Sequence, residues 1–541
     1  MTADPPSSSV GGWLGLTFGQ ATFAICSLHA VLALLLYEPT LFPGGDNANY
    51  MILGESLRSG AGYRDLYLPG QPLHAKYPPF FPALLAMLGW LGGVQVFKLA
   101  MLACTSVAVW LTAQIGLRFL GASAALLAAL LLALNPVLLE YSHYVLSEAP
   151  FLALLLLALW AAERPGRIGF GLAVAAAVGA FLTRTAGLTI LLALPLAAGL
   201  ARRVGRAATA AVSGLAVMLV WALYQRGAAP DQAGYIQELV LRDPYDPAAG
   251  SVGFSGLFAR AAGNAWAYAS RVLPETLTGL DSAAAPTPVA LLGVALAALI
   301  LVGWIGRAQE RVGATEWFVL MYAGLICVWP EVWTDRRFLL PLAPLLLLFA
   351  ISGGLRAGER IAKGSPRWTT RAVTAVLAAV IAIPSLAFVA RQAPARIECV
   401  SLYRLGEPCD LPALASLYDA ARWARANTEP DAVIANRKPS LFFWHSRRRG
   451  DLYRYSTDPD AVIRGLEEMG ADYVLVDQVS GTTLRYLVPA IQAHRMRFEG
   501  VYQGGDPPSV LLRFLAAPTT AARSASPREG SVARITEAEA P

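Results

Sequence analysis

Asp46 stands in the run Gly44-Gly45-Asp46-Asn47-Ala48-Asn49-Tyr50, and Lys76-Tyr77-Pro78-Pro79-Phe80-Phe81-Pro82 follows it on the same stretch, after the first long apolar segment. A carboxylate just outside hydrocarbon is expensive unless it is solvated, paired or used. Asp46 is therefore a candidate general base held against a bilayer surface, a position that suits chemistry on a lipid-linked substrate. A helix cap is the other reading, because Asp ahead of a helix over Ala48 to Leu57 accepts backbone N–H bonds. The two roles are compatible.

Three cations and one further acid share this setting. Arg184 interrupts the apolar stretch Gly179 to Leu188, and an arginine at membrane depth points to function or to a buried partner. Glu148, one turn into another apolar segment, is either that partner or a second site acid. Lys76 is a phosphate contact or a snorkelling interfacial lysine, and Arg337 a phosphate contact or a topology marker.

The elements that must position these residues are membrane spans. Hydrophobic residues make up 56% of the 541, charged ones only 15%, and mean hydropathy is +0.49. This is the composition of a polytopic α-helical membrane protein, not of a soluble enzyme. Apolar segments fall at Trp13 to Leu36, Val96 to Gly116, Ala122 to Leu139, Leu146 to Ala162, Ile168 to Leu182 and Leu188 to Leu200. Further ones fall at Ala207 to Leu223, Pro288 to Ile305, Glu316 to Pro330, Phe338 to Gly354 and Ala372 to Val389, giving about eleven helices. With the N-terminus in the cytoplasm, Arg118, Arg164, Arg167, Arg202, Arg203, Arg206, Arg307, Arg311 and the Arg356 to Arg371 cluster all lie inside. The net charge of +6 thus reads as membrane orientation, and nucleic acid is discounted. Phe80 to Gly93 is too short to span and would invert every later loop, so it reads as an interfacial helix. The first span has no basic stretch before it and no small-residue cleavage site after it, so it is expected to remain as an anchor.

The expected division is a transmembrane domain over 1–390, with outer loops 38–95 and 226–285, a C-terminal α/β domain over 391–515 on the same outer face, and a disordered tail over 516–541. The 226–285 loop is long enough to act as a lid. Leu414, Leu417, Ala421 and Ala424 recur at helical spacing, as do Val462, Leu466 and Met469. Tyr473-Val474-Leu475-Val476 reads as a buried strand, and Phe498 to Tyr502 with Val510 to Phe514 as a hairpin. Cys399 and Cys409 lie close together outside the spans, either as a structural disulfide or as two thiols. The histidines are scattered, and no spacing resembles a zinc site.

The first outer loop resembles that of the GT-C superfamily of polyprenyl-phosphate-sugar glycosyltransferases, in the family 39-like branch of protein O-mannosyltransferases and lipid A aminoarabinose transferases. In that branch an acid opens the loop, a helix follows, and the loop closes on a double-proline aromatic turn, as Asp46, Tyr50 to Tyr63 and Pro78-Pro79-Phe80-Phe81-Pro82 do here. The resemblance continues through Asn135-Pro136, Leu146-Ser147-Glu148-Ala149-Pro150 and Thr183-Arg184-Thr185 to Arg337-Phe338-Leu339-Leu340-Pro341-Leu342-Ala343-Pro344, covering roughly residues 12 to 355. It implies transfer of a sugar from a polyprenyl-phosphate donor to a glycan, lipid or protein hydroxyl, with inversion, at the outer face of a bacterial cytoplasmic membrane. Where family members often carry two adjacent acids, this chain has Asp46-Asn47. One carboxylate beside an amide is a poor Mg²⁺ site, so no metal or other cofactor is expected.

Such a transfer needs a base for the acceptor proton and cations for the departing phosphate. Asp46 is the expected base and Lys76, Arg184 and Arg337 the expected phosphate ligands. The rival reading is a transporter or flippase of lipid-linked saccharides, since about eleven helices with internal charges also describe transporters. The polar loop after the first span and the C-terminal section argue against it.

Overall fold

The computed structural model describes residues 15–228, 235–246, 249–361, 366–407 and 409–515. The expected tail 516–541 lies outside the described residues, as do 362–365 of the Arg356 to Arg371 cluster. Among the described residues seven helices are long and apolar enough to cross a membrane and four shorter apolar helices accompany them, which accounts for the eleven expected segments.

A capping box of Thr17 and Gln20 opens α1 (Phe18–Leu35). The first loop then folds into α2 (Asp46–Arg58) and the short α3 (Phe80–Leu88), and the chain returns through α4 (Val94–Leu120) and α5 (Ala122–Ala133). The segment read as one span from Ala122 to Leu139 breaks at Asn135. Pro136 has no N–H to continue the ladder, so Asn135 caps a separate α6 (Pro136–Tyr141), accepting from Leu138 N–H at 2.9 Å.

Next come α7 (Glu148–Ala162), α8 (Gly166–Thr183), α9 (Leu188–Leu200) and α10 (Val204–Ala228). Of the expected lid, α11 (Tyr235–Val240) lies by the first loop, where Glu238 pairs with Lys76 at 2.6 Å. Its second half is no loop. It forms α12 (Phe254–Ala267), which continues through a π-helical turn into α13 (Leu273–Thr278). Asn264 ties α12 to the end of a neighbouring span by donating to the carbonyls of Cys327 and Trp329, each at 2.8 Å.

The last spans are α14 (Pro286–Glu310), α15 (Ala314–Val328), α16 (Arg336–Leu339) leading into α17 (Ala343–Ile361), and α18 (Pro366–Leu405). Residues 391–405, expected in the C-terminal domain, instead extend α18 past the apolar part, and Arg396 there pairs with Glu38 after α1. Cys399, on this extension, is joined to Cys409 in a disulfide, with Cα atoms 5.3 Å apart. Among the described residues four apolar helices are shorter than a full span. The 15 residues of α7 rise about 22 Å, less than the ~30 Å of a hydrocarbon core.

The C-terminal domain comprises α19 (Pro412–Asn427), β1 (Ile434–Ala435), α20 (Pro439–Ser446), α21 (Pro459–Met469), β2 (Tyr473–Val476), α22 (Val488–Ala493), β3 (Phe498–Gly504) and β4 (Ser509–Phe514). Its sheet order is β1-β2-β4-β3. β1 pairs parallel to β2, and the other pairings are antiparallel. The expected helices, strand and hairpin are all present. This domain is docked on the first loop: Ala48 and Ile52 of α2 share one apolar cluster with Leu414, Leu417, Leu441 and Phe442. Arg447 pairs with Glu55 at 2.9 Å, and Gly450 N–H donates to Tyr67 O at 2.9 Å.

The main core centres on α17, the most buried of the long spans. It meets α14 backbone to backbone, because a Cβ on Gly303 would collide with Phe349 O and one on Gly353 with Leu299 O. Small residues permit such close crossings between apolar helices. Gly303→Val is expected to destabilise the bundle by about 1–3 kcal/mol through overpacking. Thermal unfolding in detergent checks this, and an unchanged midpoint would mean that the helices separate freely.

Candidate active site

Four charges from four separate parts of the chain meet at one end of the bundle. Glu148 is the first residue of α7 and is buried, with a side chain 1% exposed. An ionised carboxylate there requires charged partners. Arg184, at the end of α8, supplies one: its Nη1 lies 2.5 Å from Glu148 Oε1 and donates to Ser147 Oγ at 2.9 Å. Arg337, just ahead of α17, supplies the other through Nε to the same carboxylate oxygen. Its Nη1 reaches on to Asp46 Oδ2 at 2.7 Å. Arg337 is therefore forked between a buried acid and a more exposed one.

The backbone turns into α2 at Gly45, whose φ of +94° is open to glycine at little cost. Gly45 is the N-cap, so Asp46 does not cap with its side chain. The carboxylate faces outward instead, accepting from Arg337 and from Tyr77 OH at 3.4 Å, and remains 30% exposed. Burial pushes the Asp46 carboxyl up. The charge and hydrogen bond of Arg337, with the charges of Lys76 and Arg184, outweigh that and hold it below the usual carboxylate value. Burial drives the Tyr77 phenol well above its ordinary value, so it stays a donor to Asp46. Tyr50, on α2, links the layers through its OH, 3.0 Å from Ser147 Oγ.

Lys76 arrives on a braced loop. His74 Nδ1 faces Asp65 Oδ1 at 2.9 Å and Nε2 accepts from Tyr77 N–H at 2.7 Å, which fixes the tautomer with the proton on Nδ1. Tyr63 OH donates to Tyr77 O at 2.8 Å and Gln225 to Ala75 O at 2.7 Å. Lys76 Nζ pairs with Glu238 and lies 5.7 Å from the Tyr235 ring, with a side chain 40% exposed.

All five residues singled out from the sequence thus converge, Lys76 at the rim and the other four in one chain of contacts. Sequence reasoning missed Tyr77, Tyr50 and Ser147, although each lies inside or beside a motif that it used. It also missed Lys438 from the C-terminal domain, whose Nζ donates to Gly44 O at 2.9 Å, next to the turn that carries Asp46. His143 is buried edge-on against Tyr37, outside this chain of contacts. Both carboxylates of the cluster are opposed by guanidinium groups. A second acidic group, Glu38 beside Cys399 and Cys409, has its two sulfurs committed to the disulfide.

No protein-family model and no curated protein sequence matches this chain. Its fold does match solved structures. ArnT from Cupriavidus metallidurans bound to undecaprenyl phosphate superposes with a TM-score of 0.54 at 13% identity, over 91% of this chain and 97% of that one. In its apo state the same protein gives 0.50 at 13% identity over the same shares. An oligosaccharyltransferase from Archaeoglobus fulgidus, crystallised in complex with Zn and sulfate, gives 0.54 at 15% identity, over 91% of this chain and 73% of that one. The chain thus shares the polytopic GT-C fold of these proteins.

Glu148→Ala leaves two buried arginines without their shared counter-charge. It is expected to cost about 3–5 kcal/mol of stability, read as a fall in the thermal midpoint of the detergent-solubilised protein. A midpoint like that of the parent would show that the arginines find other partners.

Proposed function

We propose that this protein is a membrane glycosyltransferase that moves a sugar from a polyprenyl-phosphate donor to an acceptor hydroxyl, with inversion, and with Asp46 as the base. The observation that carries the reading is Arg337 held between Asp46 and Glu148 beside Arg184. The solved ArnT that carries undecaprenyl phosphate supports the same donor class for this chain.

In the reaction the acceptor oxygen attacks the anomeric carbon as Asp46 takes its proton, and the bond from that carbon to the phosphate oxygen breaks with its electron pair going to the phosphate. One displacement on the far side from the leaving group inverts the centre. The second negative charge appears on the departing phosphate, where Arg337, Arg184 and Lys76 would stabilise it. The same step explains how a paired carboxylate can act as a base. A phosphate that claims Arg337 loosens its bond to Asp46, and the carboxyl rises from its depressed value toward useful basicity. The transferase end would face the periplasm, with the basic clusters of the opposite loops inside.

Asp46→Asn is nearly isosteric and is expected to lower sugar transfer by at least ~10²-fold in a folded, membrane-inserted protein. Single-turnover transfer from a radiolabelled polyprenyl-phosphate sugar checks this, and transfer at the parental rate would remove Asp46 as the base. The acid limb of the pH profile supplies a second check. Activity needs ionised Asp46, so it is lost as pH falls through the Asp46 pKa. Arg337→Ala removes the strongest influence lowering that pKa, and the acid limb should move to higher pH. An unmoved limb would separate Arg337 from the base.

A further inference from the structure

We infer that the C-terminal domain is a working part of the transfer site, with Lys438 and Ser440 as positioning residues that clamp the glycine turn carrying Asp46. The inference rests on the reading of Asp46 as the base. Two contacts from one short stretch of the C-terminal domain reach two consecutive carbonyls of the first loop. Lys438 Nζ donates to Gly44 O at 2.9 Å, and Ser440 Oγ donates to Gly45 O at 3.3 Å.

The turn needs such support. Gly45 sits in the left-handed region and no side chain caps the helix it begins. Its carbonyl already accepts from Ala48 and Asn49 N–H of the first helical turn, so Ser440 adds a third donor to the same anchor. The lysine stem packs over Gly45, where an added Cβ would meet Lys438 Cδ at 3.7 Å and Leu441 Cδ1 at 3.8 Å. The clamp is itself rigid. Lys438 begins the turn into α20, its N–H donates to Asn436 Oδ1 at 3.0 Å, and α20 packs its Leu441 and Phe442 on Ala48 and Ile52 of α2.

Among the described residues Lys438 forms no ion pair with a carboxylate, which distinguishes it from Lys76, paired with Glu238. Burial lowers its pKa, the neighbouring Arg437 lowers it further, and Asp46 pulls the other way, so the ammonium lies within the field of the base. One side of Asp46 is thus held by the membrane bundle through Arg337 and the other by the C-terminal domain. A general base displaced by a fraction of an ångström loses alignment with the acceptor hydroxyl, whereas the donor phosphate, held by arginines of the bundle, is unaffected.

The test uses the full-length protein in detergent or nanodiscs with a polyprenyl-phosphate sugar as the probe. Lys438→Met keeps the stem and removes the ammonium, and Ser440→Ala removes the second contact. Each is expected to lower kcat by about 10-fold with the donor KM within about 2-fold of the parent. In an Asp46→Asn background Lys438→Met should add no further loss, because a residue acting through Asp46 has nothing left to position. Parental kcat in both single variants would overturn the inference while leaving the base reading intact, provided Asp46→Asn alone is inactive. A loss of the same size in the Asp46→Asn background would also overturn it. Full activity of Asp46→Asn would mark failure of the base reading instead.

Discussion

A buried carboxylate with two arginines sets the terms for the rest of this molecule. Glu148 cannot remain ionised at its depth alone, and its two partners come from segments far from it in sequence, Arg184 after α8 and Arg337 before α17. Both segments must therefore end at the level where α7 begins. That constraint fixes which helix ends share a face. It also leaves one guanidinium with a hand free for Asp46. Breaking such a cluster leaves charge uncompensated in a low-dielectric interior, which is costly.

The first loop is the second layer. Its helix α2 presents Tyr50 and Met51 to the bundle core and Ala48 and Ile52 to the C-terminal domain. Asp46 at its start is thereby fixed from both sides, and the His74 and Asp65 pair braces the strand of chain that brings Tyr77 and Lys76 alongside. Asp46 is the most exposed of the paired acids at the centre.

Much of this was legible in the sequence, for a physical reason. A charge inside an apolar segment is costly, so Glu148, Arg184 and Arg337 announce themselves, and the glycine pair before Asp46 announces a turn. The pairing of Arg184 with Glu148 was one of the sequence readings and is present, but the place of Arg337 was not legible, since it satisfies Glu148 and Asp46 at once across distant segments. The break at Asn135 was hidden by the apolar residues on either side of it. The length of α18 was hidden because its outer part is polar and finds its partner, Glu38, only in three dimensions. Lys438 gave no signal at all, because a lysine in a soluble domain looks like any surface lysine until the docking of that domain is known.

The central claim is that Arg337 is shared between the base and the donor phosphate, and it is tested most directly by equilibrium binding of a sugar-free polyprenyl phosphate to the parent protein and to Asp46→Asn. Competition for Arg337 predicts that removing the Asp46 charge tightens binding of the lipid phosphate several-fold in the variant. Weaker binding to Asp46→Asn than to the parent would contradict the account.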